Sequence, residues 1–207
     1  MTRVKLCGMT RECDIDAVNT LLPEYIGFVF APKSRRYVSP ERAGELRAHL
    51  VPSVRTVGVF VREAPENIAA LLNREVIDLA QLHGNEDKFY IEQLRALTDK
   101  PIIQAFHVDT PADLERAYHS MADLILLDHG SGGTGLVFDW KLLEDFDRPY
   151  FLAGGLSSKN VAEAIALLHP FAVDVSSGIE TDGFKDGIKM KAFVETVRNI
   201  KGKDDRT

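Results

Sequence analysis

Two side chains in this sequence have the right chemistry and position to move a proton. Cys7 closes the apolar run Val4-Lys-Leu-Cys7 and is followed by Gly8, so a thiol sits where backbone can come close to a ligand. Asp128 follows Leu124-Ile-Leu-Leu127, so a carboxyl group emerges where a strand stops, in partly desolvated surroundings. A thiolate can act as a base, and a carboxyl group kept protonated by burial can act as an acid. Composition leaves both open. A free cysteine is most often a small buried hydrophobe, the reading that also suits Cys13, and an aspartate after a strand often caps its loop.

Other candidates accompany them. Arg36 lies in the basic loop Pro32-Lys-Ser-Arg-Arg-Tyr37 of an otherwise acidic chain, and its guanidinium has the forked geometry that suits a ligand carboxylate. His83, in Gln81-Leu-His-Gly84, could orient a ligand or satisfy a backbone group. Asp174 lies within the run Ala172–Val175 and is a candidate substrate contact. Three late glycine-rich turns, Gly132-Gly-Thr-Gly135, Gly154-Gly155-Leu-Ser157 and Ser176-Ser177-Gly178, present backbone N–H groups of the kind that bind phosphate. Gly135, Gly154, Gly155, Ser177 and Gly178 are the candidates there. The histidines show no metal-ligand spacing, so no metal site is expected.

These residues need a scaffold that gathers strand ends. Eight short runs are apolar almost throughout rather than alternating, as parallel strands covered on both faces are: Val4–Cys7, Tyr25–Phe30, Arg55–Phe60, Leu79–Leu82, Ile102–Phe106, Asp123–Leu127, Tyr150–Ala153 and Ala172–Val175. Between them the spacing predicts helices such as Pro40–His49, Pro65–Asn73, Asp87–Leu97, Pro111–Tyr118, Lys159–Leu168 and Lys189–Ile200, with only a short one near Trp140–Glu144. Eight strand–helix units favour a closed α/β structure, a single (β/α)8 TIM barrel over residues 1–207, with 201–207 a frayed tail. In such a barrel the site forms at the carboxyl ends of the strands, where Cys7, Arg36, His83 and Asp128 all fall. Lys5, two residues from Cys7 on the same strand face, is a second candidate for the barrel mouth.

The net charge of −6 argues against a nucleic-acid partner, and no run approaches the roughly 20 apolar residues of a membrane span. Two cysteines make no disulfide framework, which fits a cytoplasmic protein. The expected partner is a small phosphorylated molecule, and the chain is expected to act as a monomer or homodimer.

Six motifs, in order, resemble the phosphoribosylanthranilate isomerase family over essentially the whole chain: Lys5-Leu-Cys-Gly-Met-Thr10, Gly27-Phe-Val-Phe30 with Pro32-Lys-Ser-Arg-Arg-Tyr37, Val57-Gly-Val-Phe60, Gln81-Leu-His-Gly84, Gly154-Gly-Leu156 and Val173-Asp-Val-Ser-Ser-Gly178. The resemblance implies an Amadori rearrangement of N-(5-phosphoribosyl)anthranilate in tryptophan biosynthesis, without cofactor or metal. It implies Cys7 as general base, Asp128 as general acid, Arg36 on the anthranilate carboxylate, and phosphate held by Gly154, Gly155, Ser177 and Gly178. Leu136-Val137 depart from the family pattern, which often has a basic residue after Gly-Thr-Gly. The chemistry asks for a thiolate, although a free cysteine titrates near ~8.5, and a protonated carboxyl group, although a free aspartate titrates near ~3.9. Nearby Lys5 and helix amino termini could lower the first, and apolar surroundings could raise the second. The alternatives are a barrel enzyme acting on another phosphorylated sugar and a non-catalytic phosphosugar-binding barrel.

Overall fold

The computed structural model describes residues 1–128, 140–143 and 146–200. Eight parallel strands close into a barrel in chain order: β1 (Arg3–Cys7), β2 (Tyr25–Val29), β3 (Arg55–Phe60), β4 (Leu79–Leu82), β5 (Ile102–His107), β6 (Leu124–Asp128), β7 (Tyr150–Ala153) and β8 (Ala172–Val175). Closure comes from β8 pairing with β1, which sets Lys5 beside Asp174 in the register. The helices are α1 (Glu12–Leu21), α2 (Pro40–Ala48), α3 (Pro65–Asn73), α4 (Lys88–Arg95), α5 (Pro111–Tyr118), α6 (Val161–Leu168) and α7 (Gly187–Arg198). A short 3-10 turn at Trp140–Leu143 lies between β6 and β7. No helix among the described residues is long and apolar enough to cross a membrane.

The apolar runs have two faces because each strand is covered on both sides. Inward, Tyr25, Val57, Leu79, Ile103, Leu126, Phe151 and Ala172 fill the barrel. Above them, at the carboxyl ends, Cys7, Val29 and Val59 form a small apolar patch. Outward, residues such as Leu6, Ile26, Phe28 and Ile125 pack under the helices. Helix starts follow the local chemistry. Ser39 accepts a hydrogen bond from the Arg42 amide at the head of α2, where Pro40 needs no donor, and Asp113 closes a capping box with Thr110 on α5.

Several boundaries differ from those read in the sequence. β6 runs one residue later than expected and includes Asp128, which pairs in register with His107 and Ala153. α7 begins at Gly187, ahead of Lys189, because the Asp186 side chain caps the Ile188 and Lys189 amides and overrides the poor helix propensity of glycine. α1 is not among the helices read from the sequence. Its cap is Arg11 with Asp14, and Cys13 lies exposed on it rather than packed in the core. A two-stranded hairpin, β9 (Glu180–Thr181) with β10 (Phe184–Lys185), separates β8 from α7. The tail 201–207 and the loop containing Gly135 lie outside the described residues.

Candidate active site

Strand parity assembles the site. Along β1 the inward positions are Lys5 and Cys7, and on β4, β6 and β8 they are Gln81, Asp128 and Asp174. A cavity of about 340 Å³ at the carboxyl ends is lined by Cys7, Arg36, His83, Asp128, Gly154, Gly155, Asp174 and Ser177, together with Gln81, Ser34 and Ser176. Eight of the ten residues picked from sequence therefore meet in one place. Gly178 stands behind the wall, where a Cβ would lie 1.9 Å from the Leu156 carbonyl oxygen, and Gly135 is outside the described residues. A larger cleft opens beside this cavity, over the ends of β4 and β5, and shares only His83, Asp128, Ala31 and Val61 with it.

Glycines clear the space for two of the candidate side chains. A Cβ on Gly27, the register partner of Cys7, would lie 2.6 Å from the Cys7 sulfur. Gly8 has φ +88°, and a Cβ there would lie 2.6 Å from Arg36 Cδ. The Gly154-Gly155 turn has positive φ at both residues, a conformation that leaves its backbone open toward the cavity.

At the base of the site Lys5 is wholly buried, and its ammonium donates to Asp174 Oδ2 at 2.8 Å. Burial works against that charge, but Asp174 and Cys7 hold it, so the ammonium titrates above its ordinary range. Asp174 Oδ1 is buried and has no hydrogen-bond partner among the described residues. Cys7 is 8% exposed, and burial pushes its thiol up although Lys5 and Lys185 pull it down. The lowering that Lys5 was expected to bring is present but outweighed by desolvation.

On the opposite wall a second chain of contacts runs Gln81–His83–Asp128. Gln81 Nε2 lies 2.9 Å from His83 Nδ1, and His83 Nε2 lies 3.5 Å from Asp128 Oδ2. With the amide nitrogen donating, the ring proton belongs on Nε2, facing the carboxylate. At the mouth Arg36 Nε and Nη2 donate to the two oxygens of Glu180 at 2.6 and 2.9 Å. Lys185 donates to Glu180 Oε1 at 2.6 Å and to the Ser176 carbonyl at 2.9 Å. Burial of Glu180 opposes ionisation, but the hydrogen bonds from Arg36 and Lys185 override it and hold the carboxylate at about 2.

Sequence reasoning gave no role to Gln81, Glu180 or Lys185. Gln81 stands inside a quoted motif, but a buried amide has no distinguishing spacing. Glu180 and Lys185 pair with each other in a hairpin, and the arginines that reach Glu180 lie more than 140 residues away in the chain.

A site with a thiol, a carboxylate and a double-glycine turn at one barrel mouth invites comparison with known proteins. The family model described as N-(5'phosphoribosyl)anthranilate (PRA) isomerase matches residues 4–196. The N-(5'-phosphoribosyl)anthranilate isomerase of Thermoanaerobacter sp. (strain X514) is 42% identical, the alignment covering 97% of this chain and all of that protein. The crystal structure of phosphoribosyl anthranilate isomerase from Thermotoga maritima superposes with a TM-score of 0.88 at 39% identity, covering 96% of this chain and 99% of that one. A second structure of the isomerase, in complex with reduced 1-(o-carboxyphenylamino)-1-deoxyribulose 5-phosphate, superposes at 0.85 with the same identity and coverage. Sequence match and barrel agree along nearly the full chain, which belongs to the N-(5'-phosphoribosyl)anthranilate isomerase family.

Proposed function

We propose that this chain, acting as one barrel domain, catalyses the Amadori rearrangement of N-(5-phosphoribosyl)anthranilate to 1-(2-carboxyphenylamino)-1-deoxyribulose 5-phosphate, with Asp128 as general acid and Cys7 as general base. The observation that carries this reading is that Cys7 and Asp128, from β1 and β6, line the same small cavity. A sugar held between them can receive a proton on one side and lose one on the other.

Asp128 protonates the furanose ring oxygen as the C1–O bond breaks, and the nitrogen lone pair forms a Schiff base. Cys7 then removes the C2 proton, and those electrons neutralise the iminium to give an enolamine that tautomerises to the ketone product. The working pair, thiolate with carboxylic acid, holds the same number of protons as thiol with carboxylate, so it is reached by relocating one proton. This accommodates a thiol whose ionisation burial opposes.

The remaining residues bind. The backbone of Gly154, Gly155 and Ser177, backed by Gly178, supplies N–H groups for the phosphate, with Gly135 assigned to the same task from the sequence. Asp174 Oδ1 is the acceptor for a sugar hydroxyl, because a buried carboxylate oxygen gains most from a donor. His83 lines the cavity beside Asp128, where it can contact the sugar and hold that carboxyl group in place. Arg36 takes the anthranilate carboxylate. The chain is assigned to the cytoplasm and to a monomer or homodimer.

Turnover of N-(5-phosphoribosyl)anthranilate, generated in place from anthranilate and phosphoribosyl pyrophosphate, tests the reading. Formation of the carboxyphenylamino-deoxyribulose phosphate is the expected result. A folded protein that leaves this substrate unchanged would overturn the assignment in favour of another phosphosugar ligand.

A further inference from the structure

A guanidinium has two edges that can grip a carboxylate, and in Arg36 one of them is already taken. Nε and Nη2 form the side edge, and both donate to Glu180. What remains is the end edge, Nη1 with the second Nη2 proton, on a side chain that lines the cavity. Glu180 is itself fixed: its side chain is 5% exposed, and it also accepts from Arg35 at 2.7 Å and from Lys185 at 2.6 Å. Lys185 is anchored in turn on the Ser176 carbonyl, and the Ser176 hydroxyl donates to the Cys7 carbonyl at 3.1 Å. The plane of the Arg36 fork is thus tied to the strand end that carries Cys7. Three cations surround one anion in this cluster, an excess of positive charge at the mouth where an anionic substrate enters.

We propose that Glu180 is a positioning residue for substrate specificity: it occupies the side edge of Arg36 so that the end edge is presented, already oriented, to the aromatic carboxylate of the substrate. This rests on the functional reading above and assigns to the β9–β10 hairpin the orientation of the arginine that recognises that carboxylate. An Arg36 freed of Glu180 could still pair with the substrate, but only after being ordered on binding. The loss therefore falls on binding of the carboxylate rather than on the proton transfers.

The test compares the intact protein with Glu180→Gln in steady-state turnover of N-(5-phosphoribosyl)anthranilate. The expected result is a KM raised tenfold or more, on the order of one lost charged hydrogen bond, with kcat within about threefold. Calorimetry with reduced 1-(o-carboxyphenylamino)-1-deoxyribulose 5-phosphate and with its phenyl counterpart lacking the carboxylate gives the second readout. Glu180→Gln should weaken the first by a similar factor and leave the second unchanged, and should add nothing in an Arg36→Ala background. An unchanged KM, an equal loss for both ligands, or a further loss in the Arg36→Ala background would overturn the proposal. If Glu180→Gln does not fold, Glu180→Asp, which keeps the charge but withdraws it by one methylene, carries the same comparison. An intact protein that binds the two ligands but does not turn over the substrate would defeat the isomerase reading alone, because the calorimetric comparison still decides the role of Glu180.

Discussion

Lys5 Nζ and Asp174 Oδ2 lie 2.8 Å apart across the seam where β1 and β8 close the barrel. The pair fixes one oxygen of Asp174 and leaves the other for the cavity, and it places an ammonium beneath Cys7.

Lys5→Met removes that ammonium and strands a buried carboxylate. Breaking one side of a buried pair costs about 3 to 5 kcal/mol, so chemical denaturation should register a loss in that range. A loss below about 1 kcal/mol would mean that Asp174 finds other support, and the seam would not depend on the pair.

Burial raises the Cys7 thiol, and this sets the alkaline side of the pH profile. The acid–base pair must hold one proton to work, so kcat/KM falls once the pair loses its last proton, at the higher of its two macroscopic pKa values. Because the folded thiol titrates above its ordinary value, activity should hold through neutral pH and decline only above the ordinary thiol range. A decline centred at or below the ordinary thiol range, near ~8.5, would contradict the buried-thiol account.

Gly8→Ala would place a methyl group against Arg36 Cδ at a backbone angle that side chains rarely adopt. Arg36 cannot simply swing aside, because Glu180 holds its head. The variant should lose about 1 to 2 kcal/mol of stability and raise KM for the carboxylate substrate roughly tenfold with a smaller effect on kcat. Unchanged kinetics would show that the fork tolerates displacement of its stem.

Strands were legible because burial on both faces writes itself as unbroken apolar runs, and Cys7 and Asp128 stood out as the reactive residues that end two of them. The positive-φ and close-approach glycines of the Gly154-Gly155 turn and of Gly8 were visible as glycine, though what each makes room for was not. Lys5 illustrates the limit: strand parity allowed it inward, but a fully buried lysine is rare enough that only its partner on β8 makes the placement intelligible. Glu180 and Lys185 gave no signal, because a charged residue in a two-strand hairpin looks like any solvated turn until the loop after β2, with Arg35 and Arg36, is brought against it. α1 escaped notice because its N-cap position holds an arginine rather than the usual short polar residue, with the aspartate three residues on.

The central claim is that Cys7 and Asp128 are the base and the acid, and the most direct test is turnover of N-(5-phosphoribosyl)anthranilate by Cys7→Ala and by Asp128→Ala, with binding of reduced 1-(o-carboxyphenylamino)-1-deoxyribulose 5-phosphate measured alongside. Positioned proton transfer contributes on the order of 10² to 10⁴ in rate, so each variant should lose kcat by at least a hundredfold while still binding the product analogue within about tenfold. A variant that keeps more than a tenth of the intact kcat would contradict the assignment of that residue and leave its proton to another group in the cavity.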